Sequence, residues 1–89
     1  MKFEPGTLLA TPGSLDELER AGVAPATLLL RHVRGDWGDL DTEDKCANDL
    51  GLVHGDRILS AYKLPTGEKV WVITEWDRSA TTILLPSEY

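Results

Sequence analysis

The residues with the most distinctive chemistry lie between positions 36 and 49, a stretch that we call the acidic segment. It holds six carboxylates and a single base, Lys45, so it carries most of the chain's net charge of −6. Carboxylates held close together attract basic proteins, and an exposed tryptophan among them would anchor such a partner. The pattern therefore predicts a partner-binding surface that consists of Asp36, Trp37, Asp39, Asp41, Glu43 and Asp44.

The acidic segment has a simpler interpretation as a polar loop followed by the first turn of a helix. Negative side chains are favourable there because the unpaired backbone N–H groups of a helix start carry partial positive charge. On that interpretation Asp41 or Asp44 caps the helix and Trp37 folds into the core. A structural domain whose acidity serves only solubility is then an alternative function.

Part of a calcium-binding pattern also falls in the acidic segment. Asp39, Asp41 and Glu43 match ligand positions 1, 3 and 5 of an EF-hand loop. Asp44 replaces the glycine that the loop requires at position 6, and Leu50 replaces the bidentate glutamate at position 12. The sequence thus predicts no metal site, and no motif indicates another cofactor.

A second group of residues could support catalysis. His54, Arg57, Tyr62 and Arg78 fall on or near the C-terminal strands, and small ribonucleases use these residue types for proton transfer and phosphate stabilisation. The expected element order also resembles that of RelE-type toxins. Those toxins are basic, as RNA binding demands, whereas this chain has 15 acidic and 9 basic residues. An RNase-like or RelE-like enzyme is therefore kept as an alternative, and a non-enzymatic role is favoured.

Length and composition bound the remaining classes. The 89 residues suffice for a single domain, 1–89. A pI near 4.7 argues against direct binding of nucleic acid or of anionic membranes. No apolar run approaches the roughly 18 residues of a membrane span, and the N-terminus lacks the apolar stretch of a signal peptide. The expected location is the cytoplasm, and the single cysteine, Cys46, excludes an internal disulfide.

The elements that must position these residues are a small sheet and three helices. Periodicity and turn signals predict an α+β domain of order β-α-α-α-β-β-β, with the helices packed on one face of an antiparallel sheet. Ser14 and Glu17 form a capping box at the expected start of the first helix. Cys46, Leu50 and Val53 share one face of the third helix, a spacing that is typical of a buried face.

Trp71 is expected in the core. Its strand carries large apolar side chains on both faces, which is typical of a strand in the middle of a sheet. Either the helices or a second copy of the chain would cover it, so the prediction includes a homodimer as one way to bury this side chain.

Three blocks of sequence carry a family resemblance: GDWGDLDTEDKCAND, GDRILSAYKL and VITEWDRSATTILLPSEY. From about Thr7 onward the chain resembles a family of small, uncharacterised, plasmid-related bacterial proteins that are carried on mobile elements. The resemblance implies no activity, cofactor or catalytic residue, but a mobile-element setting favours an accessory or inhibitory protein. Together with the acidic segment, it leads to the hypothesis of an inhibitor that presents carboxylates to a basic, nucleic-acid-handling partner.

Overall fold

The protein is an α+β domain in the computed structural model, which describes residues 1–89. One strand, three helices and three further strands follow one another along the chain. These are β1 (Thr7–Ala10), α1 (Pro12–Ala21), α2 (Pro25–Val33), α3 (Thr42–His54), β2 (Ile58–Lys63), β3 (Lys69–Thr74) and β4 (Ala80–Leu84). A short 3₁₀ turn, Pro86–Glu88, follows the last strand.

The four strands form one mixed sheet in the order β1-β4-β3-β2. The strands β2, β3 and β4 are an antiparallel meander, as the turn signals predict, but β1 runs parallel to β4. The prediction of a purely antiparallel sheet is therefore wrong. The three helices connect β1, at one edge of the sheet, to β2 at the other edge. The meander then brings the chain back across the sheet, so that β4 lies beside β1 and runs parallel to it.

The helix boundaries reflect local capping chemistry. Helix α1 begins at Pro12, because the hydroxyl of Thr11 accepts a hydrogen bond from the Ser14 N–H (3.1 Å) and a proline suits the first turn. The predicted capping box at Ser14 is wrong, since that residue is fully buried inside the helix. Its hydroxyl donates to the Ile83 carbonyl oxygen (3.0 Å) and so ties α1 to β4.

The hydrophobic core lies between α1, α2 and one face of the sheet, which we call the helix-covered face. Leu18 of α1 and Leu28 of α2 pack against Tyr62, Val72 and Ile83 on neighbouring strands. The strand register places these three side chains on the same face. The third helix does not join this layer and lies beside the edge strand β2, so the prediction that all the helices pack on one face is only partly met.

The opposite face of the sheet, which we call the open face, carries no helix layer. Trp71 lies on it and is only half-buried, with its ring 5.7 Å from that of Tyr89. The expectation that the helices bury Trp71 is therefore wrong, because α1 and α2 cover the other face of its strand, and its burial against a second copy stays a prediction. None of the three helices has the length and the hydrophobicity that a membrane-spanning helix requires.

A buried histidine joins α2 to the sheet. His32 is fully buried, and its ring nitrogens lie 2.6 Å from the Ser60 hydroxyl (Nδ1) and 2.9 Å from the Thr74 hydroxyl (Nε2). A further hydrogen bond joins Thr74 to Thr81 (2.6 Å), whose hydroxyl donates to the Pro5 carbonyl oxygen (2.7 Å). This network of hydrogen bonds gives both ring nitrogens of the imidazole a partner, and it links three strands to α2 and to the N-terminal segment.

Candidate functional site

The acidic segment lies along the outer edge of β2. The N–H of Asp39 donates to the Ala61 carbonyl oxygen (2.7 Å), and the N–H of Ala61 donates to the carbonyl oxygen of Trp37 (3.2 Å). One carboxylate oxygen of Asp39 accepts a hydrogen bond from the Lys63 N–H (2.7 Å). The segment thus occupies backbone groups that an edge strand would otherwise leave open to another chain.

Helix α3 completes this covering with a single amide side chain. Asn48 donates from its amide nitrogen to the Leu59 carbonyl oxygen (2.6 Å) and accepts from the Leu59 N–H (3.1 Å). Asn48 is buried, and Gly51 on the same side of α3 lets Ile58 approach closely, since an added Cβ would lie 3.1 Å from Ile58 Cδ1. We call the contacts of Trp37, Asp39 and Asn48 with β2 the edge cap.

Trp37 is buried, with only 4% of its surface exposed. Its ring packs beside those of Phe3 and His32, and its indole N–H donates to a carboxylate oxygen of Asp49 (3.1 Å). The prediction that Trp37 is an exposed anchor for a partner is therefore wrong. The ring instead covers the buried histidine at the end of α2, where an apolar group shields the polar network.

Asp36 is engaged in an ion pair. Its carboxylate accepts two hydrogen bonds from the Arg31 guanidinium (2.6 and 3.3 Å) and one from the Gly38 N–H (3.1 Å). The hydrogen bond from Arg31 is the main reason why the pKa of Asp36 lies below its ordinary value. Arg31 also lies 4.5 Å above the ring of Tyr62. The charge of Asp36 is therefore balanced within the molecule.

The remaining predicted acids belong to the start of α3. Asp41 is the N-cap, and its side chain accepts from the Asp44 N–H (2.8 Å). Glu43 and Asp44 lie in the first turn, are exposed, and make no side-chain hydrogen bond or ion pair. The structure therefore separates the six predicted site residues into four with structural contacts and two, Glu43 and Asp44, that are free to meet a partner.

Asp41→Ala should lower the free energy of unfolding by about 1 kcal/mol, because the first turn of α3 loses its side-chain cap. The matched change Asp44→Ala removes an equal charge one turn away but no cap, so its loss should be about 0.5 kcal/mol or less. Urea titrations of the two variants measure the difference. Equal losses would mean that charge, and not the Asp41 hydrogen bond, stabilises this end of the helix.

The apolar face of α3 points to solvent. Leu50 is 57% exposed and Val53 is 79% exposed, and Cys46 is exposed on the same side. We call these three residues the α3 stripe. The expectation that they are buried is wrong, because Asn48 and Gly51, on the opposite side of the helix, make the contact with the sheet. The α3 stripe has Glu43 three residues before Cys46 and Asp49 three residues after it, so carboxylates flank it.

A cleft of about 430 Å³ lies beside α3 on the open face of the sheet. Asp44 lines it from the helix, and Arg57, Leu59 and Trp71 line it from the sheet. The cleft extends the exposed surface of α3 toward a half-buried aromatic ring. No three side chains of His, Cys, Asp or Glu are arranged to hold a metal ion.

The second predicted group of residues is not brought together. Tyr62 is fully buried on the helix-covered face, and its hydroxyl donates to the Asp36 carbonyl oxygen (2.7 Å). Arg57 projects from the open face to the Tyr89 hydroxyl, and His54 is exposed at the end of α3. Arg78 donates to four backbone carbonyl oxygens, including those of Asp56 (2.6 Å) and Gly51 (3.1 Å). These side chains do not share a cleft.

Comparison with known proteins adds no assignment. No protein-family model, curated protein or solved structure matches this chain. The geometry of α3 and the distribution of charge are therefore the features that bear on function.

Proposed function

We propose that the protein is a non-enzymatic interaction module that binds a basic protein through the outer surface of α3. The contact would consist of the α3 stripe (Cys46, Leu50 and Val53) and the free carboxylate of Glu43 beside it, while Asp44 adds negative charge from the side of the helix that lines the cleft. One observation carries the proposal: an apolar stripe with helical spacing faces solvent on the most acidic part of the chain.

The exposure of the α3 stripe is the first argument. Apolar residues at positions i, i+4 and i+7 normally face the core of a small domain, and burying each such side chain is worth roughly 1.5–3 kcal/mol. Leu50 and Val53 gain only part of that stabilisation, because they remain 57% and 79% exposed. Scattered exposed leucines are ordinary, whereas a contiguous stripe marks a surface that another molecule covers.

The charge of α3 is the second argument, and it selects the class of partner. Glu43 and Asp44 have no partner in the chain, and the whole chain carries a net charge of −6. A partner with lysine or arginine beside an apolar strip would pair with both features at once. Charges at the rim of an interface mainly guide the approach and the choice of partner, while the apolar stripe would supply most of the affinity.

The resemblance to plasmid-related proteins suggests which kind of basic protein the module would bind. An acidic module from a mobile element suits the inhibition of a basic, nucleic-acid-handling protein in the cytoplasm, where its carboxylates would occupy positions that phosphates otherwise take. Asp36 and Asp39 are not part of this surface, since Arg31 and the Lys63 N–H already hold them. The proposed surface therefore starts at Glu43 and follows α3 toward Val53.

An RNase-like or RelE-like activity has less support. Burial raises the pKa of Tyr62 to about 12, so its hydroxyl stays protonated near neutral pH and does not serve as a general base there. Arg57 and Arg78 are directed to Tyr89 and to backbone oxygens. A purely structural role for the acidic segment agrees with the edge cap, but the edge cap does not explain why the α3 stripe is exposed.

The test compares wild-type protein with three variants as immobilised baits for proteins from a bacterial host. Leu50→Ser with Val53→Ser removes the two large side chains of the α3 stripe, and Glu43→Gln with Asp44→Asn removes the free charges. Leu15→Ser, at a residue of α1 that is 44% exposed, is the matched control for loss of an exposed leucine. Quantitative mass spectrometry identifies what each bait retains, and melting curves verify that each variant is folded.

The expected result is a basic protein that wild type and the Leu15→Ser variant retain and that both α3 variants lose. Its retention by wild type should also fall with added salt, since screening weakens charge pairs beyond about 8–10 Å at physiological ionic strength. If every retained protein binds all four baits equally, the α3 surface has no partner and the structural alternative is correct.

A further inference from the structure

The edge of the sheet formed by β1 is bare, in contrast to the capped edge at β2. Thr7 and Thr11 donate their N–H groups to Ser79 and Ile83, on the β4 side. Because inward and outward groups alternate along a strand, the N–H and C=O groups of Leu8 and Ala10 point away from the sheet. No side chain of the protein covers them as Asp39 and Asn48 cover β2.

Apolar side chains surround this bare edge. Of the nine large apolar side chains that are exposed, four lie in β1 or beside it, namely Met1, Leu8, Leu9 and Leu30. Met1, Leu8 and Leu30 line a cleft of about 240 Å³ between β1 and α2, and every side chain around it is uncharged. Leu8 and Leu9 are 54% and 51% exposed, so the strand presents apolar side chains on both faces of the sheet.

We propose that β1 pairs with β1 of a second copy of the chain, in antiparallel orientation about a two-fold axis. The outward groups fix the register: Leu8 pairs with Ala10 of the other copy, and Leu9 lies opposite its own equivalent. Each Leu8–Ala10 pair exchanges two hydrogen bonds, so the pairing forms four and joins the two sheets into one of eight strands. Leu9 lies on the open face, with Leu8 and the cleft on the helix-covered face.

Charge identifies a second copy as the occupant of this edge. Two molecules that each carry a net charge of −6 repel, so they associate most readily through a surface without charged side chains. Residues 7–11 read TLLAT and the cleft beside them has no charged side chain. The carboxylate that contacts this segment is that of Glu88, and one of its oxygens already accepts hydrogen bonds from the Thr11 hydroxyl (2.6 Å) and the Leu85 N–H (2.8 Å).

The position of this edge has a functional consequence. The sheet order places β1 at the edge opposite β2, which α3 flanks. A dimer formed through β1 leaves both α3 surfaces free at its two ends, and it would present two copies of any site on α3. The dimer does not depend on the partner proposed above, so either inference can fail without the other.

Sedimentation equilibrium tests the pairing at roughly 10–500 µM protein, the range in which small interfaces associate. Wild type should approach twice the chain mass of 9.8 kDa. Leu9→Lys and Leu9→Glu should each be monomeric, because like charges then meet at the two-fold axis, and an equimolar mixture of the two should dimerise again. The control Leu50→Lys changes an equally exposed leucine on α3 and should leave the dimer intact.

Amide hydrogen exchange gives a second measurement that needs no substitution. The Leu8 and Ala10 amides of wild type should gain protection as protein concentration rises, while other β1 amides should change little. A wild type that stays monomeric throughout the concentration range would overturn the proposal. So would a dimer that survives both Leu9 substitutions, or a mixture of the two charged variants that fails to associate.

Discussion

Gly38→Ala should lower the free energy of unfolding by about 3 kcal/mol or more, because the added methyl group would collide with β2 at the edge cap. Gly38 has φ +75°, and an added Cβ would overlap the Ala61 carbonyl oxygen and lie 2.6 Å from Tyr62 Cδ1. That carbonyl oxygen accepts the hydrogen bond from the Asp39 N–H, so relief of the overlap must move the acidic segment away from β2.

The control for this prediction is Gly55→Ala at the end of α3. Gly55 has nearly the same backbone angle, φ +76°, but no atom lies within 4 Å of an added Cβ. Its substitution should cost about 1–2 kcal/mol, which is the price of a left-handed conformation for alanine. Urea unfolding of both variants isolates the close approach at Gly38. Equal losses would show that the acidic segment does not press against β2 as described.

Local signals in the sequence predicted most of the elements. Pro25 marks the start of α2 and Pro65 to Gly67 the turn between β2 and β3, whereas the sequence offered both Gly51 and Gly55 as the end of α3 and the structure selects Gly55. These are short-range effects, since a proline or a glycine restricts the backbone wherever the chain goes. The same reasoning offered Asp41 or Asp44 as the cap of α3, and the structure shows that the carboxylate of Asp41 caps the helix.

Pairing between distant residues was not predictable in this way. The partner of β1 is β4, which lies some 70 residues further along the chain, and nothing in TLLA specifies a parallel neighbour. The edge cap is equally non-local, because Asp39 in the loop before α3 and Asn48 within α3 both hydrogen-bond to β2. A carboxylate in a loop or an amide on a helix carries no local sign that it will meet an edge strand.

The candidate site shows how correct periodicity can still give the wrong orientation. The spacing of Cys46, Leu50 and Val53 correctly identified one face of a helix, but that face is turned to solvent. The polar contacts of Asn48 and the small size of Gly51 attach α3 to the sheet by its other side. For Trp37 the sequence allowed both exposure and burial, and the contacts with Phe3 and His32 decide for burial.

The hydrogen bonds around His32 determine its protonation. The only hydroxyl proton of Thr81 goes to the Pro5 carbonyl oxygen, so Thr74 must donate to Thr81 and accept from His32 Nε2–H. Nδ1 is then the unprotonated nitrogen, and it accepts from the Ser60 hydroxyl. With a neutral ring, both ring nitrogens and the hydroxyl groups that they contact have hydrogen-bond partners. Burial lowers the pKa of His32 to about 4.

Acidification should therefore destabilise the fold well before the carboxylates titrate. A histidine in the unfolded chain has a pKa of about 6.5, whereas His32 in the native protein is protonated only near pH 4. Between these two values the unfolded chain binds one proton more than the native protein. Stability is then lost as pH falls through this window, by about 2 kcal/mol between pH 7.5 and pH 5.

Urea titrations at the two pH values, on wild type, His32→Gln and His54→Gln, measure this loss. Because all three proteins share the same carboxylates, the comparison isolates the contribution of the His32 imidazole to the pH dependence of stability. The exposed His54 is the control, and His54→Gln should show the same loss of stability between pH 7.5 and pH 5 as wild type. His32→Gln should be less stable than wild type at pH 7.5, but its stability should fall little further at pH 5. A proton NMR titration of wild type supplies the same answer without a substitution, since the His32 ring signals should stay unshifted down to about pH 5. A wild type equally stable at both pH values, or a His32 ring that titrates near its unfolded value, would contradict the assignment of a neutral, fully bonded histidine.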